Sequence, residues 1–267
     1  MNRQHLAAWR DALDARAAQP PARARVALWA GQARIGSVEP DYLSRMALRS
    51  GLVQAQTRGG ESGWCIMGEP TESLRELALA MRDADLAPNW RDEQLPVTDE
   101  SGRRLGTVER AVVRPLGITT FAVHLAGLSP GGAHWVQQRA LDKPNDPGLW
   151  DTLMGGMIPA DDSLQQALAR ETWEEAGLRL AQLAQLQHGG RISIRRPTAD
   201  VQAGYVVEHI EWFRCVVPEG VVPVNQDGEV AQFRLMQADE LIERMLRDEF
   251  TLEAARIFSA LTCSSIT

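Results

Sequence analysis

Three glutamates near the middle of the chain have a spacing that could serve metal chemistry. Glu171, Glu174 and Glu175 stand at positions i, i+3 and i+4, which puts their carboxylates on one face if the stretch is helical. Oxygen ligands at this spacing suit hard divalent ions such as Mg²⁺ or Mn²⁺, and more than one ion could bind. The alternative is a solvated acidic face, which is the usual role of glutamate clusters on helices.

The segment that carries these glutamates is predicted to be a helix over residues 163–176. It lacks Gly and Pro and is rich in Ala, Leu, Gln, Arg and Glu, which are good helix formers. Asp161 or Asp162 is available as the N-cap, and Gly177 can end the helix as its C′ residue. The apolar stripe of this helix runs directly into the glutamates. Because burying an unpaired carboxylate costs on the order of several kcal/mol, a cation is expected beside them.

The residues around the glutamates resemble the Nudix box, G-x5-E-x7-R-E-U-x-E-E-x-G-U, in which U is a bulky aliphatic residue. The residues that match at the required spacing are Gly156, Arg170, Glu171, Glu174, Glu175, Gly177 and Leu178. Two positions depart from the pattern. Asp162 replaces the first glutamate, which in the family ties the loop to the helix, and Thr172 replaces an aliphatic residue.

The resemblance implies a hydrolase of diphosphates that uses Mg²⁺ or Mn²⁺, and it implies roles for individual residues. The expected metal ligands are Glu171, Glu174, Glu175 and the backbone carbonyl of Gly155. Arg170 is expected to orient the glutamates through a salt bridge rather than to bind metal. Glu229 precedes a predicted strand, where some family members place an additional carboxylate as a ligand or general base. A surface position in a turn is the alternative for Glu229.

Three further residues are candidates for substrate binding. Arg139 and Lys143 could hold a substrate phosphate, although cations in loops are more often only solvated. Trp150 lies next to the motif and could stack on a heteroaromatic ring, or it could pack against the helix.

Composition excludes several other classes of protein. The 267 residues are 44% hydrophobic and 24% charged with a net charge of −7, which is typical of a globular protein and argues against general nucleic-acid binding. No apolar run is long enough to span a bilayer, and the first residues lack the apolar core of a signal peptide, so a cytoplasmic protein is expected. Cys65, Cys215 and Cys263 are widely spaced, which indicates neither a zinc site nor a disulfide framework.

The element pattern predicts an α/β fold in two parts. Residues 118–267 are expected to form a Nudix domain, an α/β/α sandwich with a mixed sheet. Residues 1–117 are expected to form a smaller α+β domain that begins with a helix and contributes to substrate recognition. Pro115 and Gly117 mark the boundary between them.

Other stretches resemble a two-domain branch of the family whose members act on thiamine diphosphate and its damaged analogues, releasing the monophosphate. The matching stretches lie at 34–38, 110–118, 139–151 and 227–230. This resemblance makes thiamine diphosphate or an oxidised analogue the favoured substrate, with ADP-ribose or another nucleoside diphosphate derivative as the rival. A non-catalytic ligand sensor is the alternative of a different class. A homodimer is possible, since Nudix relatives are often dimers.

Overall fold

The structure is a computed structural model that describes residues 3–198 and 200–264. The elements of the first half are α1 (Arg3–Ala17), β1 (Val26–Ala30), β2 (Ala33–Val38), β3 (Val53–Arg58), β4 (Glu61–Ile66), α2 (Pro70–Asp83), β5 (Gln94–Thr98) and β6 (Arg104–Glu109). Strands β1 to β4 form a sheet in the order β2-β1-β4-β3, and β5 pairs with β6 in a hairpin. One hydrophobic core lies between these strands and α2, and Leu28, Leu74 and Met81 are fully buried in it.

The second half forms a larger sheet with helices on both faces. Its elements are β7 (Thr120–Leu128), β8 (His134–Arg139), β9 (Trp150–Asp151), β10 (Met154–Met157), α3 (Leu164–Ala176), β11 (Ala184–Pro197), β12 (Tyr205–Val216), β13 (Val230–Met236), α4 (Ala238–Leu246) and α5 (Leu252–Ser264). The strand order is β11-β12-β7-β8-β13, with β10 paired to β7 and β9 to β8. Strands β12 and β7 are parallel and the other pairs are antiparallel. This confirms the expected mixed sheet.

Alternation along β7 separates the two faces of this sheet. Val123 and Leu125 pack in one core with Ala167 and Leu168 of α3. Ala122 belongs to the core on the other face, which contains residues of α5. Because side chains on a strand point to opposite faces in turn, residues 122 and 124 face away from α3. The arrangement is the expected α/β/α sandwich.

The first helix does not pack as its position in the predicted N-terminal domain implies. Leu13 and Ala17 of α1 are buried in the core that contains α5, and the backbone N–H of Gln19 donates to the Arg195 carbonyl at 2.8 Å. The apolar side of α1 therefore covers the second unit. Sequence periodicity predicts that a helix has an apolar side, but it does not predict which core receives that side.

The start of α3 also differs in detail from the prediction. The N-cap is Ser163, whose hydroxyl accepts from the backbone N–H of Gln166, while the Gln166 side chain accepts from the Ser163 N–H. This reciprocal pair is a capping box, and it satisfies donors that the helix itself leaves unpaired. Asp162 is thereby free for another contact. Gly177 ends the helix with a φ of 63° as predicted.

Backbone and side-chain contacts join the two units along one side. The N–H of Ala160 donates to the Gln94 carbonyl at 2.7 Å, and the Arg104 guanidinium donates to the Ala160 carbonyl at 2.6 Å. The N–H of Tyr205 donates to the Arg114 carbonyl at 3.0 Å. These contacts bring the predicted N-terminal domain next to the loop that precedes α3.

In the described part of the chain, no helix combines the length and the apolar character required to cross a membrane. Cys65 and Cys215 are buried free thiols, and the side chain of Cys263 lies outside the described residues.

Candidate functional site

A cavity of about 990 Å³ lies between the two units. The first unit contributes Arg91 and Arg110 to its wall, and Arg114 lies at the junction. The second unit contributes the loop before α3, the polar face of α3, strand β10 and the far side of β7. The Nudix-like motif thus borders a space that is lined by residues from both units.

Arg170 is the centre of a salt-bridge network on α3. Its Nε donates to Asp162 at 2.9 Å, and its Nη1 donates to Glu171 at 3.0 Å and to Glu174 at 2.9 Å. Asp162 therefore ties the loop to the helix through Arg170, which is the contact expected of a glutamate at this position. The salt bridges predicted for Arg170 are present, and its role in orienting metal ligands stays a prediction.

Glu175 lies deeper than the other two glutamates. It is 2% exposed, and one carboxylate oxygen accepts from the Gly155 N–H and from the Gln137 amide, both at 2.9 Å. These two bonds fix the carboxylate against β10. The predicted role of the Gly155 carbonyl as a metal ligand stays a prediction, although its peptide lies beside a predicted ligand.

Two glycines on β10 allow the close packing of this site. A Cβ on Gly156 would lie 2.1 Å from the carboxylate carbon of Glu171, and one on Gly155 would lie 2.4 Å from the His124 ring. Any larger residue would displace these side chains. Glu171 and His124 therefore approach the same edge strand from opposite faces.

Burial changes the acidity of the glutamates. Burial raises the pKa of Glu171 to about 7, although the Arg170 charge acts in the opposite direction. It raises the pKa of Glu175 to about 8, despite the hydrogen bonds from Gly155 and Gln137. The protein alone does not compensate these charges fully, so a bound cation would stabilise both carboxylates.

The carboxylates are not assembled around a single point. Among residues 3–198 and 200–264, no three His, Cys, Asp or Glu side chains stand as a group that could hold a metal ion. Arg170 attracts Glu171 and Glu174, while Glu175 is held by β10, so the three carboxylates have separate partners. The donor chemistry nevertheless fits Mg²⁺ or Mn²⁺, because all three side chains offer hard oxygen ligands. Binding would require Glu171 and Glu174 to turn from Arg170.

The charge of the cavity also indicates that it binds cations. Its lining includes twelve carboxylates against six arginines and one lysine. Such a wall repels a polyanionic substrate at neutral pH unless cations accompany it. A diphosphate would therefore need divalent ions to enter this space.

The structure brings Arg139, Lys143 and Glu229 to the rim of the same cavity. Lys143 and Glu229 form an ion pair. Burial alone would raise the pKa of Glu229, but Lys143 and nearby arginines hold it below its usual value. Arg139 donates to the Asn145 carbonyl at 2.9 Å and lies 3.6 Å from Asp151. Both cations already have partners, so a phosphate would have to compete with these.

Trp150 does not reach the cavity. It is 6% exposed and belongs to the core on the α5 face, and the Arg244 guanidinium lies 5.7 Å from the ring centroid. The stacking alternative does not fit this placement. The ring packs, but against the α5 side rather than against α3.

Several cavity residues were not predicted from the sequence. They are Arg91, Arg110, Arg114, His124, Asp151, Arg196, Glu208 and Glu253. Arg110 and Arg114 fall within a stretch that carries the two-domain resemblance, but nothing in their spacing indicates a pocket. His124 and Glu208 stand on neighbouring strands, and only the pairing of β7 with β12 places both on the wall of one cavity.

Comparison with known proteins agrees with the motif and the fold. The NUDIX domain model matches residues 120–261, which is more than half of the 267 residues. The chain belongs to the Nudix family. The matched Nudix region begins at β7 and ends in α5, so it contains the whole larger sheet.

The chain is also similar to individual known proteins. The chain is 27% identical to the chloroplastic Nudix hydrolase 20 of Arabidopsis thaliana over 185 residues, which make up 67% of this chain and 48% of that protein. It is 31% identical to an isopentenyl-diphosphate Delta-isomerase of Streptomyces avermitilis over 170 residues, 61% of this chain and 83% of that protein. A solved structure from Deinococcus radiodurans matches 61% of this chain and 98% of its own at 16% identity, with a TM-score of 0.48.

The A. thaliana relative is named as a Nudix hydrolase, and the matched region of this chain contains the whole motif. The chain spans about half the length of three of its curated relatives, from A. thaliana and yeast.

Proposed function

We propose that the chain hydrolyses a diphosphate linkage with the help of Mg²⁺ or Mn²⁺ at the carboxylates of α3. The observation that carries the proposal is the placement of Glu171, Glu174 and Glu175 on the wall of a cavity that already has an excess of negative charge. A solvated acidic face would not bury Glu175 at 2% exposure. A cation site accounts for both the burial and the charge.

The residues that would hold the metal are the three glutamates together with the Gly155 carbonyl. The ion would neutralise the diphosphate and lower the pKa of a water molecule. Arg170 would hold Glu171 and Glu174 beside the cavity in the metal-free protein and would stay outside the ligand set.

Lys143 and Arg139 would meet the anionic end of the substrate at the rim. Glu229 is held ionised by Lys143 and can accept a proton or bind a further cation. Lys143 would have to leave Glu229 in order to contact a substrate phosphate. Substrate binding would therefore also free the Glu229 carboxylate to accept a proton or to bind a cation.

The favoured substrate is thiamine diphosphate or an oxidised analogue, cleaved to the monophosphate. This proposal comes from the resemblance of stretches in both units to the two-domain branch that acts on these compounds. A cavity lined by residues of both units is consistent with a role of the first unit in recognition. ADP-ribose or another nucleoside diphosphate derivative is the rival substrate.

An isoprenoid diphosphate is a poorer fit, although one relative is an isomerase of such a compound. The cavity wall is dominated by charged side chains, and Ala122, Met157 and Val206 are among its few apolar residues. A five-carbon apolar chain would gain little from burial against this lining.

The test is product release with Mg²⁺ and with Mn²⁺ from thiamine diphosphate, oxythiamine diphosphate, ADP-ribose, isopentenyl diphosphate and a nucleoside triphosphate. We expect the highest kcat/KM for a thiamine compound, with the monophosphate as product. A preference for ADP-ribose would support the hydrolase activity but would replace thiamine diphosphate as the proposed substrate. Metal-independent ligand binding without turnover would instead favour the sensor alternative.

A further inference from the structure

The hairpin of β5 and β6 is anchored in the core of the first unit. Leu95 and Val108 are fully buried in the core that contains α2. The backbone N–H of Thr107 donates to the Thr71 hydroxyl at the start of α2 at 3.3 Å. The hairpin precedes the Nudix match at residues 120–261 in sequence, but in space it contacts the loop that precedes α3.

Both backbone groups of Ala160 in this loop bind to the hairpin. The N–H of Ala160 donates to the Gln94 carbonyl at 2.7 Å, and its carbonyl accepts from the Arg104 guanidinium at 2.6 Å. Ala160 is 5% exposed. Because a buried backbone group without a partner destabilises the fold, these two bonds fix the position of the loop at Ala160.

The same loop carries a carboxylate that binds Arg170. Asp162 follows Ala160 by two residues and accepts from Arg170 Nε at 2.9 Å. The Nη1 group of Arg170 donates to Glu171 and Glu174. A continuous series of contacts therefore runs from the hairpin through the loop to two of the carboxylates of α3.

The position of Asp162 matters most when a metal ion binds. Glu171 and Glu174 must then turn from Arg170, which leaves Asp162 as the remaining carboxylate partner of this guanidinium among the described residues. Since a partly buried cation is stabilised by a fixed counter-charge, an anchored Asp162 favours the metal-bound arrangement. With a loose loop, Arg170 would keep its contacts with the two glutamates and so compete with the metal.

We propose that the β5–β6 hairpin supports the metal site of α3, with Arg104 as a positioning residue that acts through Ala160, Asp162 and Arg170. The inference rests on the proposed function, because it takes the α3 carboxylates as the metal ligands. The first unit then contributes to metal binding as well as to the recognition of the substrate.

The test is Mn²⁺ binding to the whole chain without substrate, measured by isothermal titration. Arg104→Met keeps the aliphatic stem but removes the bond to the Ala160 carbonyl, so it should weaken Mn²⁺ binding by about fivefold, the effect of one hydrogen bond. Arg104→Lys keeps a donor and should restore part of this loss. Arg103→Met is the matched control, because it removes the same charge from a neighbouring side chain that pairs with Asp99 within the hairpin. Its Mn²⁺ affinity should equal that of the wild type.

A double-mutant cycle with Asp162 separates positioning from a general effect on stability. Asp162→Ala disconnects the loop from Arg170, so Arg104→Met should cause no further loss of Mn²⁺ affinity in that background. Additive losses in the cycle, or equal Mn²⁺ affinities of Arg104→Met, Arg103→Met and the wild type, would overturn the inference and leave the proposed function standing.

Other results would distinguish the two proposals further. Absence of Mn²⁺ binding by the wild type would overturn both of them. A substrate panel without turnover, together with the expected pattern of Mn²⁺ affinities, would remove the hydrolase activity and support the role of Arg104 in the metal site.

Discussion

At the scale of single residues, the site depends on side chains that approach the backbone of β10 closely. Gly156 leaves room for the Glu171 carboxylate, and Gly155 leaves room for the His124 ring and donates to Glu175. The Nudix pattern requires a glycine at 156, and the structure gives a physical reason for this requirement.

Gly156→Ala should reduce kcat/KM by about a hundredfold or more without unfolding the protein. The added methyl group would lie 2.1 Å from the Glu171 carboxylate carbon and would push it out of the site. Gly131→Ala is the control, because its nearest contact would be Ser129 Oγ at 3.9 Å. Steady-state kinetics and thermal melting of both variants check this, and similar activities would contradict it.

The residues of the motif could be predicted, whereas the other side of the cavity could not. Arg170 and the glutamates are adjacent in sequence, and a helix places them by local geometry alone. His124 and Glu208 lie on β7 and β12, which are far apart in sequence, and non-local strand pairing places both on the cavity wall. Trp150 shows the converse case, since proximity to the motif in sequence does not bring its ring into the cavity.

At the scale of elements, α3 packs its apolar stripe on the sheet and holds its carboxylates at the cavity. Its limits were predicted because the capping residues and Gly177 are local features, although Ser163 rather than an aspartate is the N-cap. This placement buries Glu175 and part of Glu171, which destabilises the ionised forms of both carboxylates.

The raised pKa values of Glu171 and Glu175 predict how the free energy of unfolding depends on pH. The folded protein retains the protons of Glu171 and Glu175 to about pH 7 and about pH 8, whereas the ordinary value is 4.5. The stabilising contribution of both protonated groups to the free energy of unfolding is therefore fully present below about pH 4.5. It is lost as the pH rises through 7 to 8. Thermal melting in EDTA should show falling stability over this range.

Mg²⁺ should act in the opposite direction, because it binds the ionised carboxylates. We expect Mg²⁺ to raise the melting temperature more at about pH 8.5 than at about pH 5.5. An effect of equal size at both pH values would show that these glutamates are not the ligands.

At the scale of the whole molecule, helix α1 packs apart from the rest of the first unit. The helix α1 belongs by its contacts to the larger core, although the rest of the first unit intervenes in sequence. Periodicity predicted the helix and its apolar side, but its docking site depends on tertiary contacts alone. Removing residues 1–115 would therefore expose part of the Nudix core as well as remove the first unit.

Leu13→Ala should lower the free energy of unfolding of the second unit by about 2–5 kcal/mol, because it creates a cavity against α5. Leu141→Ala is the matched control, since Leu141 is 81% exposed and its loss should change stability by no more than about 0.5 kcal/mol. Chemical denaturation measures both. Equal effects would mean that α1 does not complete the Nudix core.

The most direct measurement is the metal dependence of diphosphate hydrolysis in the wild type and in Glu175→Gln. The account predicts that EDTA abolishes turnover, that Mg²⁺ or Mn²⁺ restores it, and that Glu175→Gln folds but loses about a hundredfold or more in kcat at saturating metal. Glu243→Gln, an exposed change on α4, is the control and should be indistinguishable from the wild type. Turnover that survives EDTA, or near wild-type activity in Glu175→Gln, would contradict the assignment of metal chemistry to α3.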